Sequence, residues 1–363
     1  EKMNSKNCAT KKISILTFSK GDNYGAVLQS YGLAEVLRRM GYNVEFIYLT
    51  WSTCFHRILS NITPLKYRFE GFRKKYLKQF SLECHSAADL SKAVKKSDLC
   101  IVGSDQVWNP DITTIRAKHY FFDFVPETIP VISYAASFGV DNWKWNDLKA
   151  DVSQLLKRFS AISVREDSGI RILADDFGIC AKKVLDPTLL LGDFSSLLLN
   201  NSEKDDNYVL GFKFVTSPEY YDFIRFVAGE LDCVGAIMDM FPRDIKLTSG
   251  LKRKYFLSPQ QWITNIANAR FVITDSFHTL AFSLIFKRNF AIIPSSKLAK
   301  LQGRMVSLLK ELGLEYRIFS SIEEARRSNV WNISIDYDEI DKKLNELRLE
   351  SMEYLEKSLS TLI

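Results

Sequence analysis

The sequence predicts an α/β protein built from two Rossmann-like domains that face a central cleft. Short apolar runs alternate with helical segments along the chain, which is the order expected for βαβ units around a parallel sheet. The same rhythm occurs in both halves. The chain has 363 residues, more than one hydrophobic core usually holds, so two domains are expected.

The first half opens with a βαβ unit. Ile13–Phe18 reads as a strand, Ala26–Met40 as a helix that Gly41 ends, and Val44–Leu49 as the next strand. Later strands are predicted at Leu99–Val102, Val131–Ala135, Ala161–Val164 and Lys183–Leu185, with helices near 146–159 and 167–177. Because Pro187 cannot extend a strand interior and residues 200–207 form a polar linker, the first domain is predicted to span residues 1–195.

The second half repeats the pattern over residues 196–330. Its predicted strands are Tyr208–Phe214, Cys233–Met238, Phe271–Thr274 and Phe290–Ile293, and its helices are Pro218–Leu231, Pro259–Ala269 and Arg304–Leu312. A long, charged, amphipathic helix over Tyr337–Ser360 then closes the chain within residues 331–363. Two Rossmann-like halves with a closing helix are typical of the B-type glycosyltransferase architecture.

The composition indicates a soluble cytoplasmic protein. Hydrophobic residues make up 46% and charged residues 25%. The six cysteines form no Cys-x-x-Cys pair and have no ligand-like histidine spacing, so neither a metal nor a disulfide framework is expected. No secretory signal and no apolar run of the roughly 20 residues that span a membrane are visible. No Gly-x-Gly-x-x-Gly follows the first strand, which argues against a dinucleotide.

The net charge of +6 includes one dense basic patch. Its members are Lys66, Arg68, Arg73, Lys74, Lys75 and Lys78. A solvated helix face is the favoured interpretation. The alternative is contact with an acidic polymer or with the inner face of the plasma membrane. Nucleic acid is disfavoured because the aromatic residues are spread along the chain rather than gathered around this patch.

A polar run follows the strand Phe271–Thr274 and comes just before an apolar helix, predicted from about Leu280. This run, Asp275 to Thr279, places an acid, a hydroxyl and an imidazole at the carboxyl edge of a sheet, where open α/β folds bind ligands. The free N–H groups of a helix start suit an anion. His278 is one of four histidines and is suited to proton transfer near neutral pH.

Other polar segments also follow predicted strands of the first half. Asn23, Tyr24 and Gly25 form either a simple glycine turn into a helix or a loop that faces a ligand. Ser104, Asp105 and Gln106 offer hydrogen bonds that suit a sugar, and Trp108 is predicted to stack on a sugar face; the alternative is a capped helix start.

Two arginines sit where they can reach the same cleft. Arg165 follows a strand and is either a salt-bridge partner of Glu166 or Asp167 or a ligand for a carboxylate or phosphate. Arg304 begins a predicted helix, where a cation is slightly unfavourable, and this misfit favours a functional role.

Six short segments, taken in order, resemble the polysaccharide pyruvyl transferase family. They are Asn23–Leu33, Gly103–Asn109, Ser133–Gly139, Ile162–Glu166, Asp186–Thr188 and Thr274–His278. Each is weak alone, but their joint order is specific, and the resemblance covers about residues 13–317. It implies a fold similar to the B-type glycosyltransferases and transfer of pyruvate from phosphoenolpyruvate to two hydroxyls of a sugar. The acceptor would belong to a cell-surface or capsular polysaccharide or its lipid-linked precursor.

The resemblance suggests roles for the candidate residues. Arg165, Ser276, His278, Thr279 and Arg304 would bind the donor, and Asn23, Tyr24, Gly25, Ser104, Asp105, Gln106 and Trp108 the acceptor. His278 would supply a proton, and Asp105 or Asp275 would accept the proton of the sugar. No redox step is needed, so no cofactor is implied.

The sequence departs from the family pattern at two positions. Some members have an arginine where this chain has Ser276, and the family often has glycine or a small residue where it has Thr279. We therefore expect the second donor-binding arginine to be Arg304. Two rival hypotheses remain, a sugar-nucleotide-dependent glycosyltransferase on the same architecture and a non-catalytic glycan-binding protein.

Overall fold

Two five-stranded parallel sheets organise the protein, one from each half of the chain. The computed structural model describes residues 10–50, 64–200, 207–242, 245–294 and 303–363. The first sheet has the order β2-β1-β3-β4-β5. Its strands are β1 (Lys12–Leu16), β2 (Asn43–Phe46), β3 (Leu99–Val102), β4 (Val131–Ser133) and β5 (Phe159–Ala161). The short strands β6 (Ser163–Val164) and β7 (Lys182–Lys183) pair beside it.

The second sheet has the order β10-β9-β8-β11-β12. Its strands are β8 (Tyr208–Phe212), β9 (Val234–Asp239), β10 (Lys252–Tyr255), β11 (Phe271–Thr274) and β12 (Asn289–Ile292). The central strands are buried along their whole length, as expected when helices cover both faces of a parallel sheet. The alternation of strands and helices therefore produces the two Rossmann-like sheets that the sequence predicts.

Thirteen α-helices connect and flank the strands within the described residues. They are α1 (Tyr24–Arg39), α2 (Pro64–Phe72), α3 (Ala87–Val94), α4 (Pro110–Thr113), α5 (Asn146–Leu156), α6 (Asp167–Phe177), α7 (Pro187–Leu191), α8 (Pro218–Glu230), α9 (Pro259–Ala267), α10 (Phe277–Ile285), α11 (Gly303–Leu312), α12 (Ile322–Ser328) and α13 (Tyr337–Ser360). A π-helical turn, Arg73–Leu77, continues α2. None of the helices in the described part of the chain is long and apolar enough to cross a bilayer.

The sequence misses strand β10. Lys252–Tyr255 is basic and half exposed at the edge of the second sheet, so it carries no alternating apolar pattern. The domain limits predicted at residues 195 and 330 remain predictions.

Helix α13 connects the two halves. The Leu185 backbone N–H donates to Ser351 Oγ at 2.9 Å, and Arg348 Nε donates to the carbonyl of Leu189 at 3.0 Å. Near its start, Asp341 pairs with Lys287 of the second half at 2.6 Å. Because these contacts come from both halves, α13 bridges them.

Aromatic side chains close one side of the cleft between the sheets. The ring of Tyr24 stacks on Trp262 with centroids 5.2 Å apart, and its hydroxyl donates to the carbonyl of Leu257 at 3.0 Å. Stacked aromatic pairs stabilise contacts beyond the area they bury. Helix α1 of the first half is thereby held against the second half.

The basic patch is partly internal. Arg73 is only 1% exposed; it donates to the carbonyls of Ser19 and Gly21 and pairs with Asp22 at 2.8 Å. Neither predicted interpretation of the patch holds for Arg73, because its guanidinium fixes the loop before α1. Arg68 also turns inward and donates to Gln261 Oε1 at 2.9 Å, whereas the remaining lysines lie at the surface or are half-buried.

Candidate active site

A cavity lies in the cleft where the first turns of α1, α10 and α11 meet. We call it the cleft cavity. It is lined by residues from both halves: Asn23, Tyr24, Gly25, Asp105, Gln106, Phe212, Phe214, Met240, Trp262, Ser276, Phe277, His278 and Arg304. The structure thus brings together Asn23, Tyr24, Gly25, Asp105, Gln106, Ser276, His278 and Arg304, all predicted as site residues from the sequence.

The first turn of α1 supplies one wall of the cleft cavity. Asn23 caps the helix, and its Oδ1 accepts a hydrogen bond from the Ala26 N–H at 3.1 Å. Gly25 follows without a side chain. A Cβ built there would fall 2.0 Å from Nδ1 of His278, so glycine is required for the imidazole to reach this position. The two halves therefore touch at Gly25 and His278.

Helix α10 begins earlier than the sequence predicts, at Phe277 rather than near Leu280. Ser276 caps it, and its Oγ accepts from the Thr279 N–H at 3.4 Å. His278 consequently lies in the first helical turn. Thr279 is fully buried and its N–H is used by the cap, so the predicted donor contact through Thr279 is contradicted.

A buried carboxylate, Asp186, is the centre of the charge network below the cavity. Its Oδ2 accepts from Arg165 Nη1 at 2.6 Å and from Ser104 Oγ at 3.1 Å, and it lies 3.7 Å from His278 Nε2. Its Oδ1 accepts from the Thr188 N–H at 3.0 Å. Burial alone would raise the pKa of Asp186, but His278 and Arg165 together lower that pKa well below its ordinary value, so the carboxylate is ionised.

Arg165 is enclosed by protein groups. Besides Asp186 it reaches Asp105 Oδ1 at 3.4 Å and Glu166 Oε2 at 3.9 Å, and it lies 4.5 Å from the ring centre of Phe277. Burial opposes its charge, but the carboxylates of Asp186 and Asp105 outweigh burial and raise the pKa of Arg165. Its side chain lines a second cavity, the rear cavity, which lies behind Phe277 and Arg304.

Arg304 lines both cavities. Its closest ionic contact is Asp105 Oδ1 at 3.9 Å, and its Nε has no hydrogen-bond partner among the described residues. Burial and the neighbouring Arg165 lower the pKa of Arg304 to about 10, which leaves it charged at neutral pH. A cation held in this way is available to an anionic ligand.

Asp105 and Gln106 separate the cleft cavity from a third cavity, the outer pocket. The outer pocket is formed on the first half and shares Asn23, Asp105 and Gln106 with the cleft cavity. Its other lining residues are mostly apolar: Thr17, Phe18, Lys20, Gly21, Ala26, Ile47, Leu49 and Ile112. A ligand in the outer pocket would therefore meet a ligand in the cleft cavity beside the Asp105 carboxylate.

The structure contradicts two predicted acceptor contacts. Trp108 is completely buried, stacks on Phe121 and donates from Nε1 to the carbonyl of Tyr120 at 2.9 Å, so it cannot stack on a sugar. Ser104 is also completely buried, and its hydroxyl lies 2.9 Å from the carbonyl of Ala135 and 3.1 Å from Asp186 Oδ2. Both residues belong to the buried protein interior next to the cleft cavity and do not line it.

Asp275 does not line the cleft cavity. Its Oδ1 accepts from the Phe214 N–H at 2.9 Å, and burial raises its pKa above the ordinary value. Sequence reasoning proposed it as a base and did not select Asp186 or Phe277. Asp186 did belong to one of the recognised segments, and its position after β7 was the signal that could have identified it.

A sequence model of the polysaccharide pyruvyl transferase family matches residues 23–297. The chain belongs to this family. The match covers most of the chain and includes His278, Arg165 and Asp186, whereas Arg304 lies just beyond it. Members of the family are enzymes that act in polysaccharide biosynthesis. A comparison with curated proteins found no match to this chain.

Solved structures support the fold of this pyruvyl transferase family member. UDP-N-acetylglucosamine 2-epimerase from Rickettsia bellii superposes with a TM-score of 0.58 at 12% identity, with 97% of each chain covered. Phytolacca americana UGT2, solved with UDP-2fluoro-glucose and pterostilbene, gives 0.53 at 12% identity over 97% of this chain and 100% of its own. The likeness establishes two Rossmann-like domains around a cleft, as in the B-type glycosyltransferases.

Proposed function

We propose that the protein transfers pyruvate from phosphoenolpyruvate to two hydroxyls of a sugar, forming a cyclic ketal and releasing phosphate. The observation that carries the proposal is the pair of second-half side chains at the cleft cavity, Arg304 and His278, with the carboxylate of Asp105 opposite Arg304. A cation, an imidazole and a carboxylate around one small cavity suit an anionic donor and two proton transfers.

The donor is proposed to occupy the cleft cavity. Phosphoenolpyruvate carries a carboxylate and a phosphate. Among the described residues, Arg304 is the cationic side chain that lines this cavity. The start of α10, where Ser276 and His278 lie, adds the positive end of a helix dipole. Arg165 lies behind Phe277, and a direct contact between Arg165 and the donor stays a prediction.

The acceptor is proposed to occupy the outer pocket. This pocket is larger than the cleft cavity, with about 360 Å³ against about 90 Å³, so it suits the bulkier substrate. Asn23, Asp105 and Gln106 offer the hydrogen bonds for sugar hydroxyls where the two cavities meet. Because the family acts on polysaccharides, we propose a sugar of a cell-surface polysaccharide or of its lipid-linked precursor as the acceptor.

The chemistry needs two additions at one carbon. The first sugar hydroxyl adds to the enol carbon, its proton passes to Asp105, and His278 delivers a proton to the methylene carbon, which becomes a methyl group. The second hydroxyl then displaces phosphate from the same carbon, and its proton leaves with the phosphate, while the proton on Asp105 replaces the one that His278 delivered. The enol carbon is oxidised by one step and the methylene carbon is reduced by one step, so the changes cancel and no oxidant or reductant is needed. Asp105 is favoured over Asp275 as the base because Asp105 lines both cavities.

The test is incubation of the protein with phosphoenolpyruvate and a panel of galactosides. We expect phosphate release in step with an acid-labile pyruvate adduct on the sugar, both measured in the same reaction. A reaction without acceptor controls for simple hydrolysis of the donor. Turnover of a UDP-sugar, with none of phosphoenolpyruvate, would instead establish a glycosyltransferase and reject the proposal.

A further inference from the structure

We propose that Asp186 is a positioning residue for His278, holding the imidazole so that Nδ1 is the nitrogen that meets the substrate. The inference concerns the geometry of the site, and only its kinetic test rests on the proposed function. One ring nitrogen of His278 faces Asp186, and the other is left for the substrate.

One ring nitrogen points away from the cavity. His278 Nε2 is buried, and the described residues offer it no hydrogen-bond partner at the ordinary N–H···O distance of about 2.9 Å. The acceptor facing it is Asp186 Oδ2, 3.7 Å away. A small rotation of the imidazole would close this gap to a hydrogen bond.

The other ring nitrogen lies against Gly25 in the first turn of α1. The Cβ position of Gly25 falls 2.0 Å from Nδ1, and both Gly25 and His278 line this cavity. Because Nε2 faces Asp186, Nδ1 is the ring nitrogen left for a substrate in this cavity.

Asp186 is fixed and ionised, so it can only accept a hydrogen bond from His278. Its two oxygens receive hydrogen bonds from Arg165, Ser104 and Thr188, and its side chain is completely buried. An ionised carboxylate only accepts hydrogen bonds. Among the charged groups around the pair, Arg165, Arg304 and Asp105, none is an acceptor within hydrogen-bond range of Nε2.

The consequence is a defined tautomer. With the proton of the neutral ring on Nε2, facing Asp186, the lone pair lies on Nδ1. When Nδ1 takes up a proton, the nearby carboxylate stabilises the resulting imidazolium, which can return that proton to a substrate. Asp186 thus acts through His278 without touching the substrate.

The first test is the ¹⁵N NMR spectrum of the full chain labelled in its imidazole nitrogens. The sequence has four histidines, so the signals of His278 can be assigned by comparison with an H278Q variant. We expect the neutral ring to carry its proton on Nε2, with an unprotonated Nδ1. A neutral ring protonated on Nδ1 would overturn the inference. This measurement needs no substrate, so its failure is distinct from failure of the proposed function.

The second test compares D186N with E166Q. Each variant removes one carboxylate from the surroundings of Arg165, but only Asp186 faces His278. We expect D186N to lose the single tautomer and to lower kcat by roughly 10²- to 10⁴-fold, with a smaller change in KM for phosphoenolpyruvate. E166Q is expected to keep the tautomer and kcat.

Thermal unfolding of both variants checks that they are folded. Equal losses of kcat in D186N and E166Q would mean that Asp186 acts through Arg165 alone, and would overturn the inference. If D186N does not fold, the ¹⁵N NMR measurement of the His278 tautomer in the unaltered protein tests the inference by itself.

Discussion

The two walls of the cleft cavity handle charge differently. On the first-half wall, Arg165 pairs with Asp186 at 2.6 Å and with Asp105 at 3.4 Å, although its Nε has no hydrogen-bond partner within the described chain. On the second-half wall, Arg304 Nε and His278 Nε2 have no hydrogen-bond partner within the described chain. The first wall is held together by ion pairs among its own residues, whereas Arg304 of the second wall makes no ion pair closer than 3.9 Å within the described chain and stays available to a ligand.

This difference separates stability from function. Buried charges are tolerated when they are paired, and breaking such a pair is strongly destabilising. Buried polar atoms without partners are uncommon in native proteins and call for an explanation, which at a cleft is frequently a ligand. The comparison therefore predicts that loss of Arg165 affects mainly folding, whereas loss of Arg304 or His278 affects mainly binding or chemistry.

The largest expected effect is that of His278→Gln. Removal of the proton-transfer group should lower kcat for pyruvyl transfer by roughly 10²- to 10⁴-fold and leave the unfolding midpoint close to that of the unaltered protein. Phosphate release and ketal formation measure the rate. His119→Gln is the matched control, since His119 pairs with Asp123 at 2.7 Å away from the cavity. Full activity in H278Q would exclude His278 from the chemistry.

Arg165→Met should act mainly on stability. It leaves Asp186, Asp105 and Glu166 without their shared cation, and we expect the free energy of unfolding to fall by about 3–5 kcal/mol. Urea denaturation measures this change. If R165M is as stable as the unaltered protein but no longer binds phosphoenolpyruvate, then Arg165 is a donor ligand and the contrast between the walls is wrong.

Arg304→Met should act mainly on donor binding. Loss of one charge-assisted contact costs about 1.5–3 kcal/mol, so Kd for phosphoenolpyruvate should rise roughly 10- to 150-fold. Because Arg304 is held in a buried site that lowers its pKa to about 10, the ligand-free variant should be no less stable. Titration calorimetry gives the affinity. Arg225→Met is the control, since Arg225 pairs with Asp222 on the exposed side of α8.

The smallest kinetic effect is expected for Trp108→Phe. Trp108 is buried under the first wall. Its replacement removes the hydrogen bond to the carbonyl of Tyr120, so the free energy of unfolding should fall by about 1–3 kcal/mol. We expect KM for the acceptor to be unchanged. Acceptor titrations at saturating phosphoenolpyruvate check this. A marked rise in that KM would restore the predicted stacking role.

The fold was predicted from the periodicity of apolar residues and from the polar residues at the ends of the predicted strands. Apolar runs such as Phe271–Thr274 became central strands because central parallel strands are buried on both faces. The charged edge strand Lys252–Tyr255 has no such signal. Likewise, Ser276 reads as part of a loop, and only the hydrogen bond to the Thr279 N–H reveals it as a helix cap.

The position of the candidate site was predictable where chemistry and strand position coincide, as at His278 and Arg304, which both line the cleft cavity. Contacts between distant segments were not. Trp108 resembles a sugar-stacking residue until Phe121 and Phe138 enclose it. Asp186 gains its importance only when Arg165, Ser104 and His278 converge on it from separate segments, and no local pattern records that convergence.

The approach of His278 to Gly25 also limits how such proteins can be recombined. A chimera that takes its first half from one family member and its second half from another must combine a helix start without a side chain at position 25 with the imidazole at position 278. An alanine at position 25 would place its methyl group 2.0 Å from Nδ1 and displace the ring, even if both halves fold well. Exchange of intact halves is therefore a test of compatibility at a single atomic contact.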